Sequence, residues 1–260
     1  MRRAFDVLAS AYAFAIYVFI FLPVAVLVLF AFQGSLIPVP PFNGPSLRWF
    51  EAVFADRRLM AGIWNSFFVA FSSSALSVFL GFLAAYGFAR FQFSGKRTMN
   101  ALLTAPLSVS YLIIGMGLLV TFNWAGIPRS LATVAIGHVV INMPLCFAII
   151  YSQMGDHQVN IERAARDLGA TEWQVISLIT APMLWPALFA SFFLSVTFSW
   201  DEFIIAFLLT RFDNTLPVEI WSLLRSGLNP KTNAIGSLVF LVSTLLVVLL
   251  ELTLFRKPKP

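Results

Sequence analysis

Hydrophobic positions in this chain run in long unbroken blocks instead of the spaced stripes of a soluble amphipathic fold. A helix rising 1.5 Å per residue needs about 20 apolar residues to cross a hydrocarbon layer of about 30 Å. Six blocks meet that length, at about 8–32, 63–89, 99–122, 131–153, 183–209 and 234–255. They predict an all-α membrane protein with six transmembrane helices, read as one transmembrane domain over 1–260. Between the first two blocks lies a Pro-rich stretch, Ile37 to Pro45, then the basic segment Arg48 to Arg58. Lipid would not tolerate that irregular backbone, so it reads as an external loop carrying a short interfacial helix. Ala105-Pro106 and Asn142-Met143-Pro144 are expected to kink their spans.

Composition sharpens this reading. With 59% hydrophobic and 11% charged residues, 28 Phe and a mean hydropathy of +0.86, the chain carries more apolar surface than a soluble domain could bury. The N-terminal Met1-Arg2-Arg3 looks like the start of a signal peptide, but the apolar run Val7–Phe32 is too long for one and predicts a retained span. A net charge of +5 does not point to nucleic acid, because the basic residues sit at the edges of apolar blocks. Placing both termini in the cytoplasm puts ten of the 17 basic residues inside: Arg2, Arg3, Arg90, Lys96, Arg97, Arg163, Arg166, Arg256, Lys257 and Lys259. The segment 155–182 is then the longest inner loop. The lone Cys146 allows no disulfide within the chain.

That loop has its own pattern. Ile161 to Leu168 shows helical spacing, and Gly169 suits a left-handed helix end. Thr171, with Gln174 three residues later, predicts a capping box that starts a second helix, closed by Pro182. The pattern alone fits both an amphipathic hairpin on the bilayer and a docking surface whose small Ala164, Ala165 and Gly169 admit close approach.

Polar residues within the spans are the other candidates. Ser191, Ser195, Ser199 and Glu202 fall on one stripe of the fifth span, and Thr197 and Asp201 on its neighbour. An intramembrane carboxylate is costly and normally faces a cavity or a partner, so Ser195, Ser199, Trp200, Asp201 and Glu202 are candidates for a substrate path, with Trp200 offering a face to an organic cation. The same pair could equally sit at the outer interface or bond a partner subunit. His138 and Asn142, one turn apart, fit interhelical hydrogen bonding better than a metal site. Ser72, Ser73, Ser74, Ser77 and Gly81 suit close helix packing. His157 reads as solvated. Gly95-Lys96-Arg97 fails the phosphate-loop pattern, with Arg90 where a Gly is needed and Arg97 in place of Ser or Thr.

Ala164-Ala165-Arg166-Asp167-Leu168-Gly169-Ala170, with Ile179 and Pro182 following, resembles the Glu-Ala-Ala loop of importer permeases of the ATP-binding cassette class. Here Arg163 stands directly before the alanines, where that family has Glu, and Glu162 precedes it. The resemblance implies a type I importer permease fold whose coupling helix, formed by Glu162, Arg163, Ala164, Ala165, Asp167, Leu168, Gly169, Ala170, Ile179 and Pro182, docks on an ATPase. Thr197 to Phe203, then Leu216-Pro217, Ile220-Trp221-Ser222, Gly227, Asn229-Pro230 and Asn233-Ala234, resemble the spermidine/putrescine permease subfamily.

The family likeness implies a non-enzymatic transport subunit of a bacterial inner membrane. Its partners would be a second homologous permease, two ATPase subunits and a periplasmic or lipid-anchored solute-binding protein. This chain would bind no cofactor, with ATP and Mg held by the ATPase. Polyamines are the favoured cargo; opines, amino acid derivatives, phosphonates and ferric iron are the alternatives. An intramembrane enzyme would need a catalytic constellation converging from several spans, and a passive channel would need no loop of the 162–182 kind.

Overall fold

A computed structural model describes residues 2–227 and 229–254. Among them there are no strands, only an isolated bridge between Gln33 and Pro45. The helices are α1 (Arg2–Ala31), α2 (Arg48–Phe54), α3 (Arg57–Arg90), α4 (Lys96–Thr104), α5 (Tyr111–Trp124), α6 (Leu131–Ser152) and α7 (Asp156–Asp167). After a tight turn come α8 (Glu172–Gln174), a π-helical segment over Val175–Thr180, and α9 (Ala181–Met183). The remainder is α10 (Trp185–Asp201), α11 (Ile204–Leu209), α12 (Leu216–Arg225) and α13 (Pro230–Leu254).

Four of the described helices are long and apolar enough to cross a membrane: Leu8–Ala31, Arg57–Arg90, Leu131–Ser152 and Pro230–Leu249. The number reaches six if each of two bent pairs is one crossing. The block expected as one helix over 99–122 is broken. α4 passes into a 3-10 turn over Ala105–Ser108, Val109 is extended, and α5 leaves at 107°. Pro106 has no N–H for a helical bond, and Ser110 restarts the helix by accepting from the Leu112 N–H. The block expected over 183–209 is broken twice, at Leu184, with a 71° bend, and at Glu202-Phe203. Pro182 and Pro186 flank the first break. By contrast α6 runs uninterrupted through Pro144. The sixth span begins earlier than expected, at Pro230. Arg256, Lys257 and Lys259 lie outside the described residues.

The chain divides into two compact units, one running to Met60 and taking in Glu219–Val242, the other comprising Ala61–Val218 and the residues from Ser243. In the first, the Leu27 side chain lies where Gly236 has no Cβ, 3.3 Å from the position a Cβ would take. Lys231, at the start of α13, forms an ion pair with Asp56. Burial works to raise the Asp56 carboxyl, but Lys231 and the N–H groups of Leu59 and Arg58 outweigh it and hold it below the ordinary aspartate range.

The second unit contains two hydrophobic clusters. One gathers Val69, Phe122, Val134, Ile141, Ile205 and Leu209; the other Phe82, Ala85, Phe88, Cys146, Phe147, Ile150 and Leu184. Close helix approach explains Gly81: a Cβ there would sit 2.9 Å from the Phe147 N and 3.0 Å from the Cys146 Cβ. At Gly137 a Cβ would lie 2.5 Å from Ile205 Cγ2, so only glycine lets α11 rest on α6.

Candidate functional site

The 155–182 loop is a helix, a turn and a second helix, each ended by its own sequence. α7 stops where Gly169 takes a φ of +89°, with its N–H and that of Ala170 bonded back to Arg166 and Ala165 carbonyls. Thr171 then builds the capping box: its N–H donates to Gln174 Oε1 at 2.8 Å and its hydroxyl accepts from the Gln174 N–H at 3.4 Å. Leu168, Trp173 and Leu178 stand out from this loop, 91%, 73% and 70% exposed. Between the two arms is a cleft of about 430 Å³ lined by Ala165, Leu168, Gly169, Ala170, Gln174, Leu178 and Ile179. Arg163, Ala164, Asp167 and Pro182 are also exposed.

Glu162 departs from the expectation that it meets a partner. It is fully buried and accepts two bonds from Arg90, at 2.7 and 2.9 Å, and a third from the Thr180 hydroxyl at 2.8 Å. One carboxylate thus joins the end of α3, the middle of α7 and the π-helical segment. A buried carboxylate requires this much compensation, which is why it faces inward instead of outward. Nearer the surface, Arg166 binds both oxygens of Glu172, at 2.7 and 3.0 Å, and donates to the Tyr86 hydroxyl at 3.1 Å. The Glu172 carboxylate raises the Arg166 guanidinium further above neutrality. Both arms of the loop are therefore tied to the last turns of α3, with the exposed apolar residues directed away from those ties.

Sequence reasoning missed Arg90, Tyr86 and Thr180 as parts of this arrangement. Arg90 registers in the sequence only as a charge beside a span, and 72 residues separate it from Glu162. No local spacing carries that pairing.

The polar stripe of the fifth span divides. Ser191, Ser195, Ser199 and Glu202 are all buried, whereas Asp201 is exposed. His138 Nδ1 lies 2.5 Å from the Ser199 hydroxyl, which is 3.2 Å from that of Ser73, so α3, α6 and α10 share one hydrogen-bonded line, with the interhelical bond expected of His138. The Glu202 carboxylate accepts from the backbone N–H groups of Ile204, Ile205 and Ala206 at 3.0, 2.8 and 3.3 Å, and lies 3.6 Å from His138 Nε2. It satisfies the donors exposed by the break before α11, a need that any helix restarting in an apolar medium must meet. Trp200 is 2% exposed and its ring packs 4.6 Å from Phe67, so the aromatic face expected to meet a cation is occupied within the protein.

Long apolar helices, a helix break capped from within, and an exposed loop pinned to a span describe a multi-pass membrane protein. The chain belongs to the family of binding-protein-dependent transport system inner membrane components, whose model matches residues 77–256. It is a permease subunit and not an enzyme. It is 32% identical over 220 residues to the putrescine transport system permease protein PotI of Escherichia coli K12, covering 81% of this chain and 78% of that one. It is 28% identical over 212 residues to the spermidine/putrescine transport system permease protein PotC of Haemophilus influenzae, covering 81% and 82%. Two solved structures share its fold. A bacterial transporter that imports the acidic polysaccharide alginate matches with a TM-score of 0.71 at 15% identity over 98% of this chain and 97% of that one. The same kind of transporter in complex with a pentasaccharide-bound periplasmic protein matches with 0.73 at 18%, over 98% and 96%.

Proposed function

We propose that this chain is a permease subunit of an ATP-driven importer of putrescine, spermidine or a similar organic cation in a bacterial inner membrane. The observation that carries the cargo is the similarity, over four-fifths of the chain, to permeases named for putrescine and spermidine. Two local features support it. Asp201 is an exposed residue in an otherwise apolar helix, with its side chain beside Ser243, where an ammonium could meet it. Lys231, whose charge would repel a polyamine, is paired with Asp56.

In this reading the second permease, two ATPase copies holding ATP and Mg, and an external solute-binding protein complete the machine, with both termini of this chain and the 155–182 loop in the cytoplasm. Closure of the ATPase dimer would push on Leu168, Trp173 and the cleft between α7 and α8, and the Arg90–Glu162–Thr180 cluster would pass that displacement to α3. Asp201 is the better candidate for cargo contact, because Glu202 already serves three backbone donors.

The test is ATPase activity of the reconstituted complex with its solute-binding protein, scanned over polyamines, opines, amino acids and ferric iron. Stimulation by putrescine or spermidine is expected. Stimulation only by another solute would keep the coupling assignment and discard the polyamine.

A further inference from the structure

The segment between α1 and α2 is organised around one side chain. Gln33, fully buried, donates from its amide nitrogen to the carbonyls of Val39 and Pro41 at 3.2 and 3.1 Å, and its amide oxygen accepts from the Asn43 N–H at 2.9 Å. Its own backbone carbonyl accepts from Trp49 Nε1 at 2.7 Å. The Ser46 N–H donates to the Phe32 carbonyl at 2.8 Å, closing the base of the loop. Pro38, Pro40, Pro41 and Pro45 contribute no N–H at all. The result is an irregular loop held from inside by one buried amide.

Its outer surface is apolar. Leu36, Ile37 and Leu47 are 65%, 53% and 61% exposed, and Val39 and Phe42 are exposed as well. No Asp, Glu, Lys, Arg or His occurs anywhere from Val7 to Leu47, so this surface continues the uncharged exterior of α1 without interruption. The first charge is Arg48, stacked 5.1 Å over the Trp49 ring, a cation and an aromatic of the kind that mark a membrane–water boundary. A patch of this character in water would be an aggregation hazard. A docking surface for a soluble protein carries a polar, charged rim, whereas no charge borders this patch on the α1 side and the first one is Arg48.

We propose that the 34–47 loop is seated in the outer interfacial layer of the bilayer, with Leu36, Ile37 and Phe42 inserted among lipid headgroups and upper acyl chains, so that it anchors the end of α1 to lipid. The occupant is the lipid surface. Continuity with α1 and an apolar surface free of charge are what seating in the interface requires, where water and headgroups can still meet the loop's remaining backbone groups.

The test uses the complete importer in vesicles of phosphatidylcholine and phosphatidylglycerol, with a single new cysteine from I37C or, separately, F42C, labelled with bimane. Cys146 is fully buried, so the reagent reaches the new thiol. The expected result is loss of emission with lipids spin-labelled near the headgroup, little loss with aqueous iodide, and no change on adding the solute-binding protein. Dominant quenching by iodide would overturn the proposal, as would a label that neither quencher reaches, which would place the loop under a protein partner. Lipid quenching that vanishes when the solute-binding protein is added would overturn it in favour of docking. If one variant fails to assemble, the other reads the same loop.

Discussion

Replacing Glu162 with Gln tests how the 155–182 loop is held. Gln preserves the shape and can still accept from Thr180, but it leaves Arg90 as a charge whose side chain is only 8% exposed. Breaking a buried ion pair by removing one partner costs about 3–5 kcal/mol. Arg90 stands in the last turn of α3 with its guanidinium 5.9 Å from the Tyr86 ring centroid, so some compensation survives and the lower end, about 3 kcal/mol, applies. At roughly 2–4 °C per kcal/mol for a chain of this size, the unfolding midpoint should fall by about 6–12 °C. The assay is thermal unfolding of the purified permease–ATPase complex, followed by tryptophan fluorescence, alongside basal and substrate-stimulated ATPase rates. A double substitution, Arg90→Met with Glu162→Met, separates stability from coupling, because replacing both charges with apolar groups of similar volume is often neutral or stabilising. Its midpoint should recover while stimulation by cargo stays low. An E162Q complex that unfolds at the wild-type temperature would refute the ion-pair argument. Full stimulation in the double variant would show that the pair serves stability alone.

Gly169→Val should abolish uptake while the membrane pair still assembles, since a β-branched residue at a φ of +89° costs about 1–3 kcal/mol and deforms the exposed turn; co-purification and vesicle uptake check both halves. Asp201→Asn should slow polyamine uptake with basal ATPase and thermal stability unchanged, whereas Glu202→Ala should lower stability by about 1–2 kcal/mol through loss of the α11 cap; equal effects of the two on uptake and melting would contradict the division between them. The Asp56–Lys231 pair should show a pH signature. Asp56 is held below its ordinary range, so its contribution is present above the unfolded aspartate pKa and lost as pH falls through the lower folded one. Melting midpoints of wild type and Asp56→Asn should therefore differ at neutral pH and converge in acid.

Much of this molecule is legible along the chain because its causes are local. Apolar block length decides which segments can cross a bilayer, and Gly169, Thr171 and Gln174 specify the turn of the 155–182 loop within six residues, by backbone conformation and a reciprocal cap. Gly81 and the serines before it likewise announce close packing, although not against what. Block length does not show where a helix bends, so the breaks at Pro106, Leu184 and Glu202 divide what hydropathy reads as continuous.

Only the tertiary structure decides which polar groups are consumed internally. Asp201 and Glu202 are adjacent and chemically alike, yet one is exposed and the other is spent on three backbone donors. Glu162 sits inside a motif that reads as a docking surface, and it turns inward because Arg90, 72 residues away, arrives beside it. A buried charge must find its counter-charge somewhere in the fold, and that partner is chosen by helix packing across the whole chain. Spacing along the sequence determines the apolar helices and the locally capped turns; the pairing of each buried charge belongs to the three-dimensional arrangement alone.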